Sequence, residues 1–187
     1  MRLETIRDFE WYNEPEFGFD AGCMRIKAAP QTDFWQDNRH NIRKDNGHFF
    51  FSRRNGNFTL TVKWQSQKDQ PRWCQYGLMG RIDNNNWCKA SITRNIDDGF
   101  SLTISVTNLG VSDLAVFPLP ELPESVTWRL EVRDGDFCLS YAANDRKFIR
   151  VRMFQMSVQC SELKAGAYIC NPKDDDFTAS LSDIEIY

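Results

Sequence analysis

Residues 75–92 read QYGLMGRIDNNNWCKASI. Apolar residues alternate on both sides of Asp83-Asn84-Asn85-Asn86, and Asp and Asn side chains hydrogen-bond their own backbone in turns. The stretch therefore predicts two strands joined by a turn. Strand parity puts Leu78 and Ile82 on one face and Gln75, Gly77, Met79 and Arg81 on the other. Past the turn, Cys88, Ala90 and Ile92 share one side and Trp87, Lys89 and Ser91 the opposite one. The first set is what a core accepts. The second set is mixed, and a strand face rarely buries a lysine without a partner. Either Lys89 is solvated and Trp87 partly exposed, or both line a pocket together with an acidic or hydroxyl partner.

The same period of two recurs along the chain. Residues 46–53 (NGHFFFSR), 57–64 (NFTLTVKW), 99–107 (GFSLTISVT), 126–133 (VTWRLEVR), 136–141 (DFCLSY) and 177–187 (FTASLSDIEIY) alternate or run apolar between turn signals. The punctuation is Arg54-Asn55-Gly56-Asn57, Asp97-Asp98-Gly99, Asp134-Gly135 and Ala143-Asn144-Asp145, recurring at hairpin spacing. Asp134-Gly135 sits where a tight primed turn needs positive φ. The Pro-rich stretch 118–125 (PLPELPES) is too short for a linker between domains and predicts a stiff crossover between sheets. Residues 153–164 fit a short helix or a strand followed by a loop. Many short strands with almost no helix predict an all-β sandwich or jelly roll of two antiparallel sheets, with residues 1–187 as one domain. In that frame Trp128, Leu130 and Val132 face the core and Arg129 faces out. Ser101, Thr103, Ser105 and Thr107 point away from Leu102, Ile104 and Val106.

Composition removes several function classes. Of 187 residues, 23 are basic and 26 acidic, a formal charge of −3, and no stripe of Lys and Arg is present to neutralise phosphates. Nucleic acid is not an expected partner. No apolar run approaches the roughly 20 residues that span a bilayer, and MRLETIRDFEWYNEP lacks a signal-peptide pattern, so no membrane partner is expected. Cysteines 23, 74, 88, 138, 160 and 170 show no Cys-x-x-Cys spacing. Three of them sit in strand-like apolar runs, where a free thiol packs as a small hydrophobe. A reduced, cytoplasmic protein follows as the expectation.

The chain resembles an uncharacterised family with a concanavalin A-like sandwich, linked by name to a fungal regulator of enolase. The resemblance rests on WYNEP (11–15), DFW (33–35), DNGHFFF (45–51), QYGLMGRIDNNNWCKASI, VTNLGVSD (106–113) and AGAYICNP (165–172). These stretches span the whole chain, and Trp87-x-Lys89 after the Gly-Leu-Met strand is their most specific part. Three positions depart from the family pattern. Trp73-Cys74-Gln75 stands where Tyr-Asp-Gln is common, Thr93 lies where an acid is common, and Leu114 replaces a tryptophan. The missing acid weakens a case for general acid–base chemistry.

Glycoside hydrolysis needs two carboxyl groups roughly 5 to 9.5 Å apart. Glucanases on this fold resemble one another in carrying Glu-x-Asp-x-(x)-Glu on a groove strand, and this chain has no such run; the closest is Asp183 and Glu185, which share a strand face and read as a solvated terminal strand. Asp83-Asn84-Asn85-Asn86 and Asp174-Asp175-Asp176 offer oxygen ligands for calcium without a recognisable ligand spacing. Tight turns use the same residues, so neither metal nor cofactor is predicted. His48 is a candidate ligand contact or catalytic base, and equally a packing residue. A saccharide site needs flat rings to stack on sugar C–H faces and amides or cations for the hydroxyls. Trp87, Lys89, Gln75, Arg81, Arg129, His48 and Trp35 are the candidates, with Trp73 as a further rim aromatic. The expected function is non-catalytic binding of a saccharide on a concave sheet. The alternatives are a protein partner docked by the same aromatic face, as for a regulator of a metabolic enzyme, and a glycoside hydrolase-like enzyme.

Overall fold

The computed structural model describes residues 6–95, 97, 99–159 and 161–187. Two large antiparallel sheets face one another. Sheet A has the order β1 (Glu10–Tyr12), β6 (His48–Asn55), β16 (Glu162–Cys170), β8 (Gln75–Arg81), β9 (Trp87–Arg94), β10 (Phe100–Asn108) and β11 (Val111–Ser112). β12 (Ala115–Leu119) continues beside β10. Sheet B runs β15 (Ile149–Gln155), β14 (Asp136–Ala143), β13 (Ser125–Arg133), β7 (Phe58–Gln65), β17 (Phe177–Ile186), β3 (Cys23–Ala28) and β2 (Glu16–Asp20). A separate hairpin pairs β4 (Phe34–Asp37) with β5 (Ile42–Asp45).

The main core lies between the sheets and follows the parity of the sequence. Leu78, Cys88, Ala90, Ile92, Leu102 and Ile104 from sheet A meet Leu60, Val62, Trp64, Trp128, Leu130 and Ile184 from sheet B. The Trp64 indole N–H donates to the Gly77 carbonyl oxygen at 3.0 Å, a polar tie across an otherwise apolar layer. Asp134 and Gly135 adopt φ of 51° and 89° at the β13–β14 hairpin, the conformation that a primed turn demands. The 118–125 segment carries the chain from β12 in sheet A to β13 in sheet B, as its prolines predict.

One local expectation needs correction. Gly56 turns with φ of 65°, yet it joins β6 of sheet A to β7 of sheet B, so this turn crosses the sandwich and closes no hairpin. Of the two readings of residues 153–164, the strand followed by a loop is the one found: β15 ends at Gln155 and β16 starts at Glu162.

A second core lies on the outer face of sheet A. Phe49, Phe51, Met79, Trp87, Tyr168 and Cys170 project there, and Phe34 of the β4–β5 hairpin seals them, with Tyr12 alongside. Phe34 is fully buried, which stabilises the docked hairpin by roughly 2–3 kcal/mol. Its ring meets Trp87 and Tyr168 edge-on at centroid distances of 6.4 and 6.2 Å. The hairpin thus covers one part of the outer face, and a pocket lies beside it.

Candidate functional site

The open part of the outer face carries Gln75 on β8, Lys89, Ser91 and Thr93 on β9, and Thr103 and Ser105 on β10. These strands are directly paired, with Gln75 opposite Thr93, Thr103 opposite Ser91 and Ser105 opposite Lys89. The polar parity of three adjacent strands therefore gathers amide, ammonium and hydroxyl groups on one floor. The floor belongs to a pocket of about 270 Å³ lined by Asp33 and Trp35 from the hairpin side, Trp73 and Asn95 at strand ends, and Leu114 and Val116 at the sheet edge.

Lys89 is nearly inaccessible, and all three of its N–H bonds have acceptors. Nζ donates to the Phe34 carbonyl oxygen at 2.6 Å, to Gln75 Oε1 at 2.9 Å and to Asp33 Oδ1 at 3.4 Å. An ammonium has no further donor to give. Gln75 Oε1 also accepts from the Tyr168 hydroxyl at 3.2 Å. Burial raises the Tyr168 pKa well above the phenol range, so that hydroxyl is a fixed donor. With its oxygen occupied by two donors, the Gln75 amide turns its N–H₂ group away from them, its one contact there being a long 3.4 Å bond to the Trp73 carbonyl oxygen. Further along the floor, Thr103 Oγ1 lies 2.8 Å from both Ser91 Oγ and Thr93 Oγ1. Such a hydroxyl chain can reorient to donate or to accept. Ser105 Oγ donates to the Asp113 carbonyl oxygen at 2.6 Å and keeps its lone pairs.

The rim is aromatic and apolar. Trp73 is 41% exposed, Leu114 55% and Val116 48%, and Trp35 is half-buried. Trp73 holds φ of 69°, a left-handed conformation in which a bulky side chain is strained, and its N–H donates to the Arg94 carbonyl oxygen at 3.0 Å. A larger cavity of about 500 Å³ opens at one end of the sandwich over Phe58, Val132, Phe137 and Leu163. There Asn57 and Asp134 bond each other reciprocally, at 3.1 and 2.8 Å.

The sequence candidates separate into two groups. Gln75, Lys89 and Trp35 are together in the pocket. Trp87 is not a stacking platform: it is sealed in the second core beneath Phe34, with no accessible ring face. Arg81 is buried in the same region, where its guanidinium pairs with Asp45 and lies 4.7 Å from the Tyr12 ring centroid. Arg129 is on the other sheet. Its alternation with Trp128 and Leu130 sends it to the outer face of sheet B, paired with Glu131 at 3.3 Å and stacked on Phe148. His48 packs on the inner side at the start of β6. Its Nε2 accepts from the Ala29 N–H at 2.9 Å, while Nδ1 donates to the Asn13 carbonyl oxygen at 2.6 Å.

Asp33, Thr93, Asn95, Thr103 and Ser105 line the pocket without having been singled out as site residues. Asp33 was foreshadowed by the acidic partner that a buried Lys89 requires. Thr103 and Ser105 were foreshadowed by their outward parity.

Among the described residues lining the pocket, Asp33 is the one carboxylate, and Lys89 and the Phe34 N–H hold it. Two-carboxylate glycoside hydrolysis has no second partner there. Asp183 and Glu185 lie on β17 of sheet B, opposite Lys63 and Thr61. Asp83 uses its carboxylate for the Asn85 N–H and the Asn86 amide, which is turn chemistry. No group of three or more His, Cys, Asp or Glu side chains suited to a metal ion occurs among the described residues. No helix among them is long and apolar enough to cross a membrane.

Comparison with known proteins supports the architecture. "Regulation of enolase protein 1" of Saccharomyces cerevisiae is 26% identical over 174 residues, covering 92% of this chain and 86% of that one. A functionally unknown protein of the same yeast matches in structure with a TM-score of 0.88, at 23% identity over 97% of both chains. A GH43 protein from Bacillus licheniformis matches with a TM-score of 0.76 at 12% identity, covering 96% of this chain but 36% of that one. The carbohydrate binding module CBM66 from Bacillus subtilis matches with a TM-score of 0.62 at 14% identity, over 97% of this chain and 96% of that one. With the two antiparallel sheets, these matches establish the concanavalin A-like β-sandwich that the strand pattern predicts. Residues 11–187 match the model of the family described as "Protein of unknown function (DUF1349)", and the chain belongs to that family.

Proposed function

We propose that the open polar part of sheet A binds a carbohydrate without catalysing its cleavage. The observation that carries this reading is the pairing of a hydroxyl- and amide-rich floor with two tryptophans, half-buried Trp35 and exposed Trp73, in the lining of one pocket. Sugar rings present apolar C–H faces and a girdle of hydroxyls, so they need both kinds of surface at once. Trp73 and Trp35 stack on the ring; the Gln75 N–H₂ group, Thr93 and Thr103 meet the hydroxyls. Lys89 acts from beneath, orienting Gln75 and the hairpin. The likeness to a carbohydrate binding module agrees with this assignment. The free thiols of Cys74, Cys88 and Cys170, buried in the two cores, suit a reducing compartment such as the cytoplasm.

The test is a titration of tryptophan fluorescence and thermal midpoint with a panel of mono- and oligosaccharides, on wild type, Trp73→Ala and Gln75→Ala. Ligand at about 100 times its dissociation constant adds about 2.7 kcal/mol of stability, a readable shift. A saturable response that both variants lose is the expected result. A flat response across the panel sinks the proposal.

A second reading, docking of a partner protein, is favoured by the sheet edge beside the pocket. Val111, Leu114, Val116 and Phe117 are exposed on β11, β12 and the turn between them, and the yeast relative is named for regulation of an enzyme. Under this reading Val116→Glu abolishes capture of purified enolase while the sugar panel stays flat.

A further inference from the structure

The outer face of sheet A is crossed by the β4–β5 hairpin, and the hairpin is tied down at both margins. On one side Phe34 is buried against Trp87 and Tyr168 and its carbonyl oxygen accepts from Lys89. On the other side the Gln36 N–H donates to Ser112 Oγ at 3.0 Å on β11, and the Gln36 amide reaches the Asn84 carbonyl oxygen in the β8–β9 turn. A long chain laid along these strands would have to pass through β4. The side of the pocket toward the sheet edge is walled by Leu114 and Val116, and Trp73 stands at the remaining rim. The result is a dead-end pocket and not a through-groove.

Its capacity agrees with that shape. At about 270 Å³ it falls just below the range of roughly 300–1,000 Å³ found for ligand pockets, enough for one sugar ring and too little for a row of them. Its charge is internally balanced. Among the described residues of the lining, Asp33 and Lys89 are the two charged side chains, and they are paired with each other, with the three N–H bonds of Lys89 all used. What remains for a ligand is neutral: the Gln75 N–H₂ group, the Thr93 and Thr103 hydroxyls, Asn95 and two indole faces.

Resting on the carbohydrate reading above, we propose that the pocket takes the terminal ring of a neutral glycan end-on, and does not grip an internal stretch of chain. Among the described residues of the lining a carboxylated sugar would find no uncommitted cation, and it would lose its hydration for no charge-assisted bond.

Chain ends and chain mass are separable in one experiment. Xylan, laminarin and inulin are presented to the protein at equal mass, intact and after partial hydrolysis that multiplies the number of ends about tenfold. Polygalacturonate, treated in the same way, supplies the acidic counterpart, and the constituent monosaccharides serve as competitors. End-on capture predicts that binding of at least one neutral polymer rises roughly tenfold with fragmentation and that its monosaccharide competes. Binding that follows mass, unchanged by fragmentation and indifferent to the monosaccharide, overturns the end-on proposal and leaves the carbohydrate reading standing. Preference for polygalacturonate fragments overturns the neutral-sugar assignment alone. Silence toward every polymer, fragment and monosaccharide removes the carbohydrate reading and the end-on proposal with it. Trp73→Ala, run in parallel, must lose whatever response wild type shows.

Discussion

The ammonium group of Lys89 on β9 donates to the backbone carbonyl oxygen of Phe34 on β4 at 2.6 Å. This bond runs from the floor of sheet A to the strand that crosses it, and the same ammonium group holds Asp33 and Gln75. Truncation to Lys89→Ala leaves a buried carbonyl oxygen and an amide oxygen short of donors and leaves Asp33 without its cation. Removing one partner of a buried charged pair costs about 3–5 kcal/mol, and an orphaned polar group about 1–3 kcal/mol. Asp33 retains 18% side-chain exposure and recovers part of its loss from water. A net destabilisation of roughly 2–3 kcal/mol is expected in urea unfolding. Proteolysis in residues 38–41 should accelerate as the hairpin loosens. A variant as stable as wild type would show that the hairpin docks on Phe34 alone.

Trp73 combines a strained backbone with an accessible ring. A bulky residue at φ of 69° costs on the order of 1–3 kcal/mol, and glycine adopts that conformation freely. Trp73→Gly relieves the strain at an entropic cost of roughly 0.5–1 kcal/mol in the unfolded state. The thermal midpoint without ligand should therefore be no lower than that of wild type, while the saccharide response disappears. A midpoint several degrees lower would assign the indole to packing.

Strand parity made the sandwich legible in the sequence, because alternation around Leu78, Ala90, Leu102 and Trp128 reports directly which side meets a core. Parity assigns a face and says nothing of what covers it. Trp87 and Lys89 share a face, yet Trp87 is sealed by Phe34 and Lys89 borders a pocket, because a hairpin about 40 to 55 residues earlier in the sequence settles on part of that face. No local pattern announces such docking. Arg129 failed for the complementary reason: parity sent it outward correctly, but the sheet to which its strand belongs is decided by pairing with β7 and β14. Asp33 was the recoverable residue, since a buried lysine implies a nearby acid and the chain carries one in DFW.

Gly77 tests the closeness of β8 and β9. A Cβ built on Gly77 would meet the Ala90 carbonyl oxygen, and backbone atoms of Ala90 and Ser91 lie within 2.8 Å of it. Backbone in a central pair of strands cannot retreat as a side-chain tip can. Gly77→Ala should cost about 3 kcal/mol by forcing the strands apart, seen as a drop in urea midpoint. The separation reaches the site, because Gln75 and Lys89 are on these two strands. Retention of wild-type stability would mean that the ladder here absorbs a methyl group by local twist.

His48 makes the stability of the sandwich depend on pH. The Ala29 N–H can only donate, so Nε2 must be the unprotonated acceptor, and Nδ1 carries the proton toward the Asn13 carbonyl oxygen. Protonation would set N–H against N–H. Burial lowers the pKa from 6.5, and the bond to Asn13 offsets part of that shift. A folded pKa below the unfolded value means that, as pH falls through about 6.5, the unfolded chain takes up a proton which the native state refuses. The contribution is complete above that pH and is lost at lower pH, until the folded pKa is reached, with a slope of at most about 1.4 kcal/mol per pH unit for one group. Urea unfolding at pH 7.5, 6.5 and 5.5 should show this loss in wild type. His48→Gln, less stable throughout, should have a flatter profile over the same interval. His40 is exposed beside Asp37 and is present in both proteins, so it does not distinguish them. Parallel profiles for the two proteins would place the pH dependence elsewhere and remove the proton requirement at Nε2.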